Sequence, residues 1–142
     1  MKPYLLHPAV VHFPIALLIT GLAGALAGAV SERWAKRADA VSWLLWLGTA
    51  SAWAALTLGL LAARTAPHVP PAWETLAEHQ TLAWWTVSVV SVLSVWRWKW
   101  PQRWPALFLV GWIVAIGLVL ATGYEGGELV FKHNMGTAAS EP

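Results

Sequence analysis

Four stretches of this chain contain no Asp, Glu, Lys or Arg, at about residues 8–30, 41–63, 79–96 and 105–124. Crossing a bilayer takes about 20 mainly apolar residues. In hydrocarbon each backbone amide must be satisfied inside its own segment, so uncharged runs of this length are helices. The connections "SERWAKRAD", "RTAPHVPPAWETLAE" and "RWKWPQRW" are short, which makes sequence neighbours antiparallel partners. The expectation is an all-α, integral membrane four-helix bundle forming a single domain over residues 1–142. Its helices are expected at about 8–30, 41–63, 73–96 and 105–124.

Surface chemistry agrees. Charged residues make up 11% of the chain, against roughly a quarter in soluble domains, too few to cover a water-facing surface. The first run is read as a span and not as a cleaved leader, because it is long and its charges follow it. There is no cysteine, which excludes disulfides, thiolate metal sites, iron–sulfur clusters and thioether-attached haem. The net charge is +2 and no basic face is present, so no nucleic-acid partner is expected.

Orientation follows from the basic residues. Arg33, Lys36, Arg37, Arg97, Lys99 and Arg103 lie in or beside the loops after the first and third helices, while Lys2, Arg64 and Lys132 lie on the other side. That bias places the two short loops in the cytoplasm and both termini in the periplasm of a bacterial inner membrane. Most of the twelve tryptophans fit aromatic belts at the boundaries. Trp46, Trp53, Trp84, Trp85 and Trp112 lie deeper, facing lipid or packing on a cofactor.

All five histidines fall on the outer side of this topology. "HPAVVHFP" puts His7 and His12 at the start of the first helix, with His79 early in the third and His133 after the fourth. His68, alone in a Pro-rich loop, reads as an interfacial residue. Pro8 suits a first helical turn, and Pro14 deprives the Val10 carbonyl of its donor and predicts a kink. Judged by depth, His12 pairs with His79 and His7 with His133. An ionisable residue at membrane depth marks a functional site by default; one reading is interfacial histidines bonded to backbone carbonyls and water, and beside it two ligand chemistries fit these imidazoles. One is haem b, one or two groups held by His7, His12, His79 and His133 in bis-histidine fashion, with Arg64 and Lys132 facing the propionates. The other is a bare metal (zinc, copper or non-haem iron) on the same histidines with Glu74, Glu78, Glu125 or Glu128.

The C-terminal "GYEGGELVFKHNMG" carries Gly123, Gly126 and Gly127, which predict a break after the fourth helix. Beyond it, Leu129, Val130 and His133 would line a short amphipathic segment folded over the mouth of the bundle.

At "HPAVVHFPIALL", "EHQTLAWWT" and "GYEGGELVFKHNMG" the sequence resembles the bacterial membrane family catalogued as domain of unknown function two-two-three-one. The HPxxVHFPIALL-type start of that family is met at His7, Pro8, Val11, His12, Phe13 and Pro14. Its GGxLVYxHGxG-type finish is met at Gly126, Gly127, Leu129, Val130, His133 and Gly136, with Phe131 in place of the usual Tyr and Asn134 in place of the usual Gly. The resemblance spans nearly the whole chain. It implies a four-helix membrane protein, weight on His7, His12, His79 and His133, and a redox or respiratory setting.

Taken together, the residues lead to a membrane b-type cytochrome with one or two haems near the periplasmic face. Its expected partners are the bilayer and a periplasmic cytochrome c or other redox subunit, with quinol and a homo-oligomer compatible. The alternative is a non-haem metal-binding membrane protein, or an accessory subunit of a respiratory or redox complex. No nucleophile–base pair, phosphate loop or zinc protease motif is present, so hydrolysis is not expected.

Overall fold

The computed structural model describes residues 3–67, 69–101 and 103–136; His68 and Lys2 lie outside them. Within these residues the chain is helical, without strands. After a 3-10 turn at Pro3–Leu5 come α1 (Leu6–Val10) and α2 (His12–Val30), then the short α3 (Glu32–Ala35) and α4 (Ala38–Thr65). A second 3-10 turn at Pro70–Ala72 leads into α5 (Trp73–Lys99), and α6 (Pro105–Phe131) closes the series.

Helix α2 packs along α4 and α5 along α6; α4–α5 and α2–α6 contacts join these two hairpins into a ring of four long helices. The core runs through the middle of the ring, with Leu18, Leu45, Val90 and Trp112 at 1% exposure or less. It continues toward the end opposite the histidines through Val41, Leu93 and Phe108. Gly21 sets the α2–α6 approach, since a Cβ there would stand 2.7 Å from the Trp112 ring.

The break expected at Pro14 lies at Val11, between α1 and α2. The Val11 amide still reaches the His7 carbonyl at 3.1 Å, but proline has no N–H to return to Val10. Together α1 and α2 form one apolar rod, Leu6–Val30.

Three helical segments are long and apolar enough to cross a membrane: Leu6–Val30, Ala38–Thr65 and Pro105–Phe131. Helix α5 has the length but is more polar, carrying His79, Gln80, Thr81, Thr86, Ser88, Ser91 and Ser94 within its charge-free run. Several of these groups turn to neighbouring helices. The Thr49 hydroxyl meets Ser94 Oγ at 2.8 Å, Trp53 Nε1 donates to Ser91 Oγ at 3.1 Å, and Thr86 Oγ1 lies 3.0 Å from Thr122 Oγ1.

At the far end Arg97 clasps α5 to the start of α4. Its guanidinium donates to Ser42 Oγ at 2.8 Å, the Pro101 carbonyl at 2.8 Å and the Ala38 carbonyl at 3.3 Å. Trp34, Trp43, Trp98, Trp100 and Trp104 are exposed around this end.

The C-terminal expectation needs correction. No break follows Tyr124: α6 runs on through Gly123, Gly126 and Gly127 to Phe131, so Leu129 and Val130 of the expected amphipathic segment lie in its last turn and His133 in the turn that follows. Glycine lowers helix propensity by about 1 kcal/mol, but a helix already packed along α5 has no better partner for its amides than its own carbonyls. Only after Phe131 does the chain turn, through Asn134 and Gly136 at positive φ.

Candidate functional site

Below the histidine end the packing loosens. The core stops near Leu56, Val87 and Val119, and beyond it the helices line an open-sided cavity of about 560 Å³. The helix surfaces here are built of small residues, among them Ala52, Ala55, Gly59, Ala63, Ala83, Gly123 and Gly126, so helices held apart at the mouth do not fill the space between them. A Cβ on Gly123 would meet nothing within 4 Å. The wall is mainly apolar, and the imidazoles of His7, His12 and His79 line it together with the Tyr4 phenol.

Two of these rings lie side by side. The His7 and His79 centroids are 6.1 Å apart with their planes at 81°. His7 Nδ1 lies 2.9 Å from the Ala55 carbonyl of α4, and His79 Nδ1 lies 2.9 Å from the Thr122 carbonyl of α6. A carbonyl only accepts, so each Nδ1 carries the proton and each Nε2 keeps its lone pair. A histidine that ligates a metal commonly anchors its other nitrogen in this way.

The depth-based pairing is corrected by this geometry: His79 meets His7. His12, four helical positions or so deeper, is exposed while also lining the cavity. His133 Nε2 is 3.3 Å from Thr75 Oγ1 and does not line the cavity. Residues just beyond α6 reach the cavity, but not through His133. Met135 and Gly136 line the cavity, and the Gly136 backbone lies against Tyr4.

The two cations separate as well. Arg64 is exposed and lines a smaller recess of about 380 Å³ together with Trp73, Gln80 and Met135; Gln80 and Met135 also line the main cavity. Lys132 donates to Glu128 at 3.0 Å across one helical turn. That hydrogen bond, with the carboxylate charge, raises the Lys132 ammonium above the usual lysine range.

The donor set decides which group fits. Among the described residues no three of His, Cys, Asp and Glu come together as metal ligands. A bare zinc site takes three or four protein ligands, whereas haem brings four nitrogens of its own and asks the protein for two. The two ring centroids are 6.1 Å apart, within the ordinary range for neighbouring rings. The cavity volume lies within the range of about 300–1,000 Å³ usual for ligand pockets. Two imidazoles on one cavity match the number of protein ligands that a haem takes.

Sequence reasoning missed the groups that hold the rings: the Ala55 and Thr122 carbonyls, and Gly59 and Gly126 beside them. Gly59 lies inside an apolar run and Gly126 just beyond one, and the second reads in the sequence as part of a break.

Comparison with curated proteins gave no match, and comparison with solved structures gave none either. A family profile described as a predicted membrane protein, DUF2231, matches residues 4–139, nearly the whole chain. The chain belongs to the DUF2231 family of predicted membrane proteins.

Proposed function

We propose that this protein is a b-type cytochrome of the bacterial inner membrane, with four crossing helices and one haem held between His7 and His79. The observation that carries the reading is the adjacent pair of imidazoles, each anchored through Nδ1 to a backbone carbonyl on the neighbouring helix. In this reading α5 is the fourth span, its polar groups turned to α4 and α6. The excess of Lys and Arg at the opposite end sets that end in the cytoplasm and the histidine end, with both termini, in the periplasm.

A bound haem would supply one-electron transfer. The chain's own part is to present two Nε2 lone pairs, to exclude water with the Ala- and Gly-rich wall, and to offer Arg64 at the mouth to a propionate. Lys132 is already paired with Glu128 and contributes less. The partner is a periplasmic cytochrome c or another redox subunit docking at the mouth, where Glu74 and Glu78 are exposed. A membrane quinol is the other candidate donor. His12 and His133 are not axial ligands in this reading, and one haem is the count.

The test is the visible spectrum of the detergent-purified protein with pyridine haemochrome quantitation. One haem per chain is expected, lost in His7→Ala and in His79→Ala and kept in His12→Ala and His133→Ala. A colourless protein made with ample haem supply would overturn the reading, as would haem content untouched by the first two substitutions. Stoichiometric zinc, copper or iron in a colourless preparation would establish the bare-metal alternative.

A further inference from the structure

The two imidazoles are held by one device used twice. His7 donates Nδ1–H to Ala55, and four residues further along α4 comes Gly59; a Cβ there would stand 3.0 Å from His7 Cε1 and 3.1 Å from Nδ1. His79 donates to Thr122, and four residues further along α6 comes Gly126; its Cβ would stand 3.2 Å from His79 Cε1 and 3.5 Å from Nδ1. Carbon atoms settle at about 3.5–4.0 Å, so either methyl would push its ring away. In a helix the residue at i+4 sits one turn beyond the carbonyl of i on the same face. A side chain there stands beside the path of a ring approaching that carbonyl.

Other close-packed glycines do something different. Gly21 meets Trp112, Gly48 meets Leu18 and Gly111 meets Leu93, all apolar contacts that set helix spacing. Gly59 and Gly126 alone among the described glycines are packed against imidazoles. The arrangement occurs independently in the α1–α4 and α5–α6 pairs, on residues far apart in sequence.

We propose that Gly59 and Gly126 are positioning residues of the His7/His79 site: by leaving the Ala55 and Thr122 carbonyls open to the rings, they fix both imidazoles in the Nδ1–H form and turn both Nε2 lone pairs to one ligand. The choice of haem as that ligand rests on the proposed function; the tautomers belong to the chain itself.

The experiment is 15N NMR of histidine-labelled protein in micelles without added haem, assigned with His7→Gln and His79→Gln, followed by haem titration. Both wild-type rings are expected to carry the proton on Nδ1. Gly59→Ala should mix the tautomers of His7 and Gly126→Ala those of His79, and each should weaken haem binding about 10–100-fold, as loss of a ligand's anchoring partner does. Gly111→Ala, which crowds only Leu93, should lower thermal stability and leave both signatures alone. Nε2–H tautomers in the wild type would overturn the proposal without any variant. So would alanine variants that keep wild-type tautomers and haem affinity, or a Gly111→Ala protein that loses them equally. If the tautomer results hold and the wild type takes no haem, the haem reading fails and the positioning role stands.

Discussion

The His7 and His79 imidazoles lie side by side with their centroids 6.1 Å and their planes 81° apart. Each ring is oriented by its own carbonyl on its own neighbouring helix, so the angle between them is set by the backbone of two hairpins and not by contact between the rings. In the proposed function, a ferric haem held by two imidazoles with perpendicular planes would have nearly degenerate iron orbitals. The expected electron paramagnetic resonance spectrum is therefore the single large-g feature of strained low-spin haems. A well-resolved rhombic three-line spectrum would show that the rings turn parallel when haem binds.

Arg97 anchors the end farthest from the histidines with three hydrogen bonds to α4 and the following turn. Bonds from a charged donor contribute about 1.5–3 kcal/mol. Arg97→Met is expected to lower stability by about 2 kcal/mol, seen as an earlier thermal transition in detergent. The spectrum of the histidine site should not change.

The Thr49–Ser94 contact joins α4 to α5 in the middle of the ring. Hydrogen bonds between membrane helices average about 0.6 kcal/mol by double-mutant cycles and reach about 1.7. A cycle through Thr49→Val and Ser94→Ala should give a coupling in that range, with the single Thr49→Val loss the larger of the two because that hydroxyl also donates to the Val90 carbonyl at 3.3 Å. Zero coupling in unfolding measurements would remove this bond from the account of why α5 stays in place.

Gly21 and Trp112 form a lock whose parts can be exchanged. Gly21→Ala drives a methyl to 2.7 Å from the indole's six-membered ring, and overpacking of this kind costs about 1–3 kcal/mol. The Trp112 Nε1–H is buried without a partner among the described residues, so its removal loses no hydrogen bond. Trp112→Phe should therefore recover much of the loss in the double variant, read as its midpoint against that of Gly21→Ala alone.

The helices were legible in the sequence because charge-free length is a property of the residues themselves, and the ends followed from Pro105, the prolines of "VPP" and the charged loops. Convergence of the histidines on one end was legible for the same reason. Their pairing was not. Depth along a helix can be counted from sequence, but rotation about its axis is set by packing, and rotation is what turned His79 toward His7 and left His12 exposed. The run through Gly123, Gly126 and Gly127 misled in the other direction. Those glycines suggest a helix stop when read alone, whereas Gly126 is small because an imidazole lies against it. Family membership was carried by motifs at the two ends of the chain, and the profile spans residues 4–139.

Helix α5 pairs its hydroxyls with a helix made before it and a helix made after it: Ser91 and Ser94 with Trp53 and Thr49 of α4, Thr86 with Thr122 of α6. In the proposed bundle this imposes an order on biogenesis. A segment with that many polar groups partitions poorly into lipid alone, so α5 would leave the insertion machinery together with α4 and hold half its polar face unsatisfied until α6 emerges. His79 is on that same helix, and its carbonyl partner is on α6. The site would therefore come into being last, after every helix is in the membrane, and haem would load a finished protein.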